Sequence, residues 1–391
     1  MKLVFWILIG IVFYTYFGYT LLLIILNIFK GIPNLFTSGQ NENKVFPKVT
    51  LLITAYNEKD IVEQKMQNSL EIDYPPEKLD ILWITDGSDD GTPEKLKRYR
   101  NITVMHQAVR KGKTAALNRA MKKVTTPYTI FCDANTILAP DSISELIKQF
   151  SSEKVGCVAG EKRIVRNFSE AAAGIGESTY WQYESLIKKL ESNISSTLGA
   201  AGELYAIRSE LYEELNPDVI VDDFVNSLSI ARKGYKIRYA PKAFALETPS
   251  LNTKEELKRK IRIATGGFQT IVLMPSLLNL FKYGFLSFEY LSHKVFRWIL
   301  VPFSIPAIFL LNILICTSES WQSQLFNCIL ILQIAFYLLA LIGALLEKRS
   351  IKMKILFLPY YLLFMNFAQL AGFFRFIRGK HSVVWEKAKR S

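Results

Sequence analysis

Four runs of almost unbroken apolar residues, 1–29, 296–316, 325–346 and 355–374, bracket a stretch from about 44 to 270 that reads as an ordinary water-soluble domain. Each run comes close to the ~20 residues that cross a bilayer as a helix. A chain patterned in this way must satisfy its backbone in lipid at both ends and still fold a globular unit between them. With 391 residues, half of them hydrophobic, there is enough apolar sequence for both. The first run exceeds the ~7–15 apolar residues of a signal peptide, and no small-x-small cleavage site follows it, so we read it as a retained anchor.

A net charge of +13 calls for an anionic partner: nucleic acid, lipid headgroups or a phosphate-bearing substrate. The loop "EKRSIKMK" between the last two apolar runs is strongly basic, whereas "TSESWQSQ" between the middle two has no Lys or Arg. The first should therefore face the cytoplasm and the second the outside, which leaves the soluble stretch cytoplasmic. Three spans after that stretch would then export a tail carrying Arg375, Arg378, Lys380, Lys387, Lys389 and Arg390. Either the last run, with Pro359 and Asn366 inside it, is re-entrant or interfacial, or the tail departs from the positive-inside tendency. The four cysteines (Cys132, Cys157, Cys316, Cys328) show no zinc or redox spacing, and His106, His293 and His381 are scattered, so no His/Cys metal cluster is expected.

From Lys48 onward, short β-branched runs alternate with helical stretches. "VTLLITAY" precedes a helix-like segment over 58–70, "LDILWIT" a Gly- and Asp-rich turn, and "ITVMHQ" a helix-like stretch over 113–123. "YTIFCD" then leads into "APDSISELIKQF", where Pro140 and Asp141 mark a helix start. This βαβα order predicts an α/β domain with a mostly parallel sheet covered by helices. Ligands of such sheets bind beyond the carboxyl ends of the strands. The clusters "YNE" (Tyr56, Asn57, Glu58), "DGSDDGT" from Asp86 and "DAN" (Asp133, Ala134, Asn135) all fall there. A polar linker at 37–44 joins anchor to domain, and "FKYGFLSFEYLSHK" reads as an interfacial amphipathic segment joining the domain to the later spans.

Each cluster has a plain alternative. Asp86, Asp89 and Asp90 suit a surface turn, or they suit hydrogen bonds to a nucleobase or ribose. Arg110, Lys111 and Lys113 around Gly112 form either a solvated basic face or an anion site at a helix start. Asp133 and Asn135 form an Asx turn, or they hold Mg²⁺ or Mn²⁺ against a diphosphate, since hard cations take oxygen ligands. The adjacent Asp222 and Asp223 point in different directions in any regular backbone, so one could be a general base and the other a helix cap. Arg259 and Arg262, three apart on one helix face, fit lipid headgroups or a phosphate clamp.

Taken in order, "AYNE", "DGSDDGT", "RKGK", "DAN", "GAAGELYAIR" and "VDDF" resemble the membrane-anchored family-2 glycosyltransferases, the group containing bacterial cellulose, hyaluronan and poly-N-acetylglucosamine synthases. The resemblance runs from about 45 to 270 and implies a GT-A type fold for that domain, an anchor at 1–29, an interfacial segment at 271–294, about three spans over 295–375 and a basic tail at 376–391. It further implies a multi-pass protein of the bacterial inner membrane with its catalytic domain in the cytoplasm.

By the same resemblance, Tyr56, Glu58, Asp86 and Lys113 belong to the nucleotide-sugar pocket. Asp133 and Asn135 occupy the Asp-x-Asp place and hold Mg²⁺ or Mn²⁺. Asp222 and Asp223 take the Glu-Asp place, with Asp223 as base, while Arg262, helped by Arg259, steadies the leaving diphosphate, and Gly202 lies in the acceptor-lining segment. Two departures stand out. Asn135 replaces an Asp, and the Gln-x-x-Arg-Trp motif of processive synthases is reduced to "RKIRI" around Arg262. We therefore expect an inverting transferase that moves one or a few sugars, with a UDP-sugar the expected donor, to a lipid-linked or glycan acceptor. Processive synthesis and a non-catalytic nucleotide-sugar-binding scaffold or transport component stand as alternatives. Nucleic acid is not an expected partner: it would explain the charge but neither the spans nor the carboxylate clusters.

Overall fold

The computed structural model describes residues 1–30, 46–164, 172–318, 324–348 and 354–379. The linker at 37–44, the middle of both orientation-setting loops and the tail beyond 379 lie outside the described residues. The chain divides into two compact units, one formed by described residues of Leu26–Val165 and Trp181–Pro249, the other by those of Met1–Ile25, Arg166–Tyr180 and Ser250–His381.

The first unit is built on an eight-stranded sheet: β1 Val49–Ala55, β2 Leu79–Asp86, β3 Thr103–Gln107, β4 Tyr128–Asp133, β5 Ile137–Leu138, β6 Val155–Ile164, β7 Tyr205–Arg208 and β8 Lys236–Glu247. Their order is β3-β2-β1-β4-β7-β6-β8-β5. β1 is parallel to β2 and β4, and β2 to β3, as the alternating pattern predicts. β7 then runs antiparallel between β4 and β6, β8 parallel to β6, and β5 antiparallel to β8, so the sheet is mixed. Every residue of β1 is buried, which explains why it reads as a continuous apolar run rather than an alternating one. Trp83, Leu51, Ile53, Ile130 and Leu204 share one core cluster. Across the β4–β7 junction the rings of Phe131 and Tyr205 stack with centroids 4.5 Å apart and 7° between planes.

Local chemistry sets where the helices begin. The expected 58–70 helix starts only at Val62, and ahead of it Glu58 and Lys59 turn their backbone N–H groups to Thr92 and Asp90. The helix Lys113–Met121 follows Gly112, and the helix Asp222–Arg232 opens on two acidic residues, which suit its positive N-terminal end.

In the second unit, the helix Thr253–Leu273 is capped by its preceding residue: the Asn252 side chain accepts the Glu255 N–H at 3.0 Å. The helix Lys354–Ile377 lies close against it, since a Cβ at Gly372 would stand 2.5 Å from Ala264 Cβ. Among the described residues three helices are long and apolar enough to cross a membrane: Lys2–Phe29, Phe285–Ser318 and Gln324–Glu347. Phe285–Ser318 is continuous, and its 34 residues reach roughly 50 Å, well beyond a ~30 Å hydrocarbon core. Its first turns hold buried Glu289, His293, Lys294 and Arg297, and the apolar remainder is itself long enough to cross a hydrocarbon core.

Arg259, expected to clamp phosphate, is committed elsewhere. Its Nε and one terminal nitrogen each donate to Glu256 at 3.0 Å, and Glu256 also meets Lys260 at 3.3 Å and Ser250 Oγ at 2.7 Å. Burial alone would raise the Glu256 carboxyl. The charges of Arg259 and Lys260, with hydrogen bonds from Arg259 and Ser250, overcome that and hold it well below the ordinary carboxylate range. Glu256→Ala should therefore lower stability by about 3–5 kcal/mol, because the buried Lys260 and the largely buried Arg259 would lose the anion they share. Thermal melting in detergent checks this, and a variant melting with the parent would show that the cluster does not hold the helix start.

Candidate active site

The donor side is assembled from loops at the carboxyl ends of β1, β2 and β4. Asn57, whose φ is 55°, donates through Nδ2 to Asp89 at 2.8 Å and accepts the Asp89 N–H at 3.0 Å. Asp90 accepts from the backbone N–H groups of Lys59 (3.1 Å) and Thr92 (3.0 Å). Asp89 and Asp90 thus serve the turn, which is the plain alternative for both. Glu58 is buried beside them.

Asp86, expected at a base or ribose, is turned inward. It is buried and accepts the backbone N–H of Gly112 at 2.6 Å and that of Lys111 at 3.0 Å. Its carboxylate pulls the "RKGK" loop onto the end of β2. Gly87 permits the approach: with φ of 69°, a Cβ there would lie 2.5 Å from Arg110 Cβ. The loop so placed brings the Arg110 guanidinium 3.5 Å from the centre of the Tyr56 ring, a cation on an aromatic face. The sequence offered Arg110 as part of an anion site or a solvated basic face, and its approach to Tyr56 was not foreseen.

Lys113, first residue of its helix, is the hub. Its Nζ contacts Asp133 Oδ1 at 2.7 Å and stands 3.9 Å from Asp222 Oδ2. Burial by itself would lower its pKa, but the charges of Asp133, Asp222 and Asp223 reverse this and hold it far above the ordinary lysine range. Asp133 also accepts from Thr54 Oγ1 at 3.3 Å, again through Oδ1. The turn after Asp133 is braced by Lys65, a fully buried lysine whose Nζ donates to the Thr136 carbonyl at 2.7 Å and to Cys132 Sγ at 3.0 Å. Nothing in the pattern singled out Lys65, one of two charged residues in its helix.

Asp222 is buried and Asp223 half-buried, side by side at the start of one helix. A Cβ at Gly202 would lie 3.1 Å from Lys113 Nζ and 3.4 Å from Asp223 Oδ2, so this glycine keeps the space between cation and carboxylate open. Burial and the charge of Asp222 push the Asp223 carboxyl up, Lys113 pulls it down and Glu203 adds to the rise, leaving it at about 7. Thr54, Lys113, Asp133, Gly202 and Asp222 line one crevice. The structure therefore brings Lys113, Asp133, Asp222, Asp223 and Gly202 together. Arg259 and Arg262 belong to the other unit, on the helix Thr253–Leu273.

Residues 47–266, more than half of the chain, match the family described as glycosyltransferase like family 2. Poly-beta-1,6-N-acetyl-D-glucosamine synthase of Staphylococcus aureus (strain MSSA476) is 28% identical over 231 residues, 57% of this chain and 55% of that protein. The enzyme of the same name from Staphylococcus epidermidis is 25% identical over 240 residues, 60% of this chain and 58% of that one. The matched region thus spans little more than half the length of these curated relatives. Among solved structures, a mannosyltransferase from Pyrobaculum calidifontis in complex with GDP-Man and Mn²⁺ superposes with a TM-score of 0.71 at 22% identity, covering 96% of this chain and 99% of its own, a likeness of fold. With a GT-A-like mixed sheet, carboxylates gathered at its strand ends and a family match across the domain, the chain belongs to the glycosyltransferase-like family 2.

Proposed function

We propose that the chain is an inverting, membrane-associated glycosyltransferase that moves a sugar from a nucleotide-diphosphate donor, a UDP-sugar foremost, to a lipid-linked or glycan acceptor in polysaccharide or glycolipid synthesis. The observation that carries this is Asp223: a half-buried carboxyl with a pKa near neutrality, facing Lys113 across the gap that Gly202 leaves. A base poised near working pH suits removal of a hydroxyl proton. In a single displacement Asp223 takes that proton as the acceptor oxygen attacks the anomeric carbon, and the diphosphate departs from the opposite face. Lys113, protonated throughout, draws the leaving diphosphate, and Tyr56 with Arg110 forms a face for the nucleobase. The charge of the neighbouring Asp222 is one of the causes that raise the Asp223 carboxyl.

Among the described residues no three His, Cys, Asp or Glu side chains form a metal cage. The residues present still fit a hard cation. Asp133 engages Lys113 and Thr54 through Oδ1, leaving Oδ2 without a described partner, and Asn135 follows two positions later. Mg²⁺ and Mn²⁺ use few protein ligands when phosphate oxygens complete the shell. A bound cation would supply charge neutralisation at the diphosphate. The reduced "RKIRI" motif supports transfer of one or a few sugars over processive synthesis, the apolar helices support a multi-pass arrangement, and the basic loop "EKRSIKMK" supports a cytoplasmic 45–270 domain.

Purified protein in detergent, given a panel of nucleotide sugars with Mn²⁺, should release nucleoside diphosphate from one donor. Absence of release from every donor, with and without acceptor glycans, would remove this reading. The pH profile is a sharper check. Because Asp223 must be ionised to act, kcat/KM should rise about tenfold per pH unit below ~7 and level off above it. A flat profile from about pH 5.5 to 8 would exclude Asp223 as the base.

A further inference from the structure

Near the reaction centre lies an ion cluster in which Lys162 and Glu247 have no part in the chemistry above. Lys162 on β6 is almost fully buried and bridges two carboxylates: its Nζ meets Glu203 Oε1 at 2.6 Å and forms a close ion pair with Glu247 Oε2. Sheet register explains the meeting. Lys162 pairs with Ala245 of the parallel β8, so Glu247, two residues on, lies diagonally across on the same face. β5 pairs with β8 through Ile137 and Leu246, which sets the turn just before β5 beside Glu247. There Asn135 Nδ2 donates to Glu247 Oε1 at 3.5 Å.

An amide meets a carboxylate only through its NH₂ end, which leaves the carbonyl oxygen of Asn135 turned away from Glu247. A carboxylate at 135 would instead set like charges against each other in a buried place. We propose that Glu247, anchored by Lys162, is the reason position 135 carries an amide, and that the Lys162–Glu247 pair is a positioning device for the oxygen that Asn135 offers to the donor's cation. The inference rests on the metal-assisted donor site proposed above. Hydrogen-bonded partners behind a metal ligand fix its orientation, and losing them weakens metal binding by about 10–100-fold. The Asn in the Asp-x-Asp place is then a matched half of a pair rather than a decayed motif.

The test is a swap. Mn²⁺ affinity is measured by electron paramagnetic resonance of free Mn²⁺, with UDP or GDP present, for the parent, Asn135→Asp, Glu247→Gln and the double variant. Asn135→Asp should weaken Mn²⁺ binding about tenfold or more. Combining it with Glu247→Gln should restore affinity close to the parent, because the amide introduced at 247 then donates to the carboxylate introduced at 135. Lys162→Met should weaken it as well, and melting curves identify any variant that merely unfolds. If Asn135→Asp binds Mn²⁺ as tightly as the parent, or the double variant fails to recover, the pairing is overturned while the donor-site reading stands. If the parent itself binds no Mn²⁺ with either nucleotide, both fall.

Discussion

Asp223→Asn should lower the rate of sugar transfer by about 10³-fold while leaving nucleotide binding in place, since the amide keeps the shape of the side chain and loses only its basicity. The same variant should melt higher than the parent, and the gap should widen with pH. The sign follows from the raised pKa: between the ordinary carboxylate value and about 7 the folded protein keeps a proton on Asp223 that the unfolded chain releases. Stability from this group therefore falls as pH rises through that window, and an amide has no proton to lose. Initial rates and melting curves from about pH 5 to 8 on both proteins test both halves. Sugar transfer by the Asp223→Asn variant within about tenfold of the parent would end the case for Asp223 as base.

Lys113→Met should disturb both chemistry and folding, because it removes the cation shared by Asp133, Asp222 and Asp223. Leaving buried carboxylates without their partner costs about 3–5 kcal/mol. In whatever activity remains, the acid limb of the rate profile should move up by about 1–3 pH units, since the charge that held Asp223 down is gone. Lys113→Arg restores the charge and should return the limb toward the parent even if its bulk slows transfer. A limb that stays in place in Lys113→Met would show that Lys113 does not act on Asp223.

Much of this arrangement was legible from pattern. β1 to β4 were readable because each closes an apolar run with a polar cluster, and those clusters carry Tyr56, Asp86 and Asp133. β5 and β7 were not, since two residues, "IL", and four, "YAIR", are too short to show any period. The charged residues that brace the site were also hidden. Lys65, Lys162 and Glu247 sit among other charged residues of their own elements, and only their burial in the folded chain sets them apart. Arg259 shows the opposite case: the helix spacing was visible, but Glu256, three residues earlier, was the nearer claim on its guanidinium. Asp86 was placed correctly at a strand end, yet its carboxylate serves backbone amides, a role that depends on the loop folding back.

The stacked rings of Phe131 and Tyr205 sit where the parallel half of the sheet, β3-β2-β1-β4, meets β7 and the strands beyond it. Residues of the proposed site hang from both halves: Tyr56, Asp86 and Asp133 from one, Gly202, Glu203 and Glu247 from the other. The four-pair β4–β7 ladder, the stacking of Phe131 on Tyr205 and the approach of Lys113 to Asp222 are among the contacts that join them. With the seam running through the proposed site, neither half can be exchanged alone, because a change at Glu247 on one side reaches Asn135 on the other.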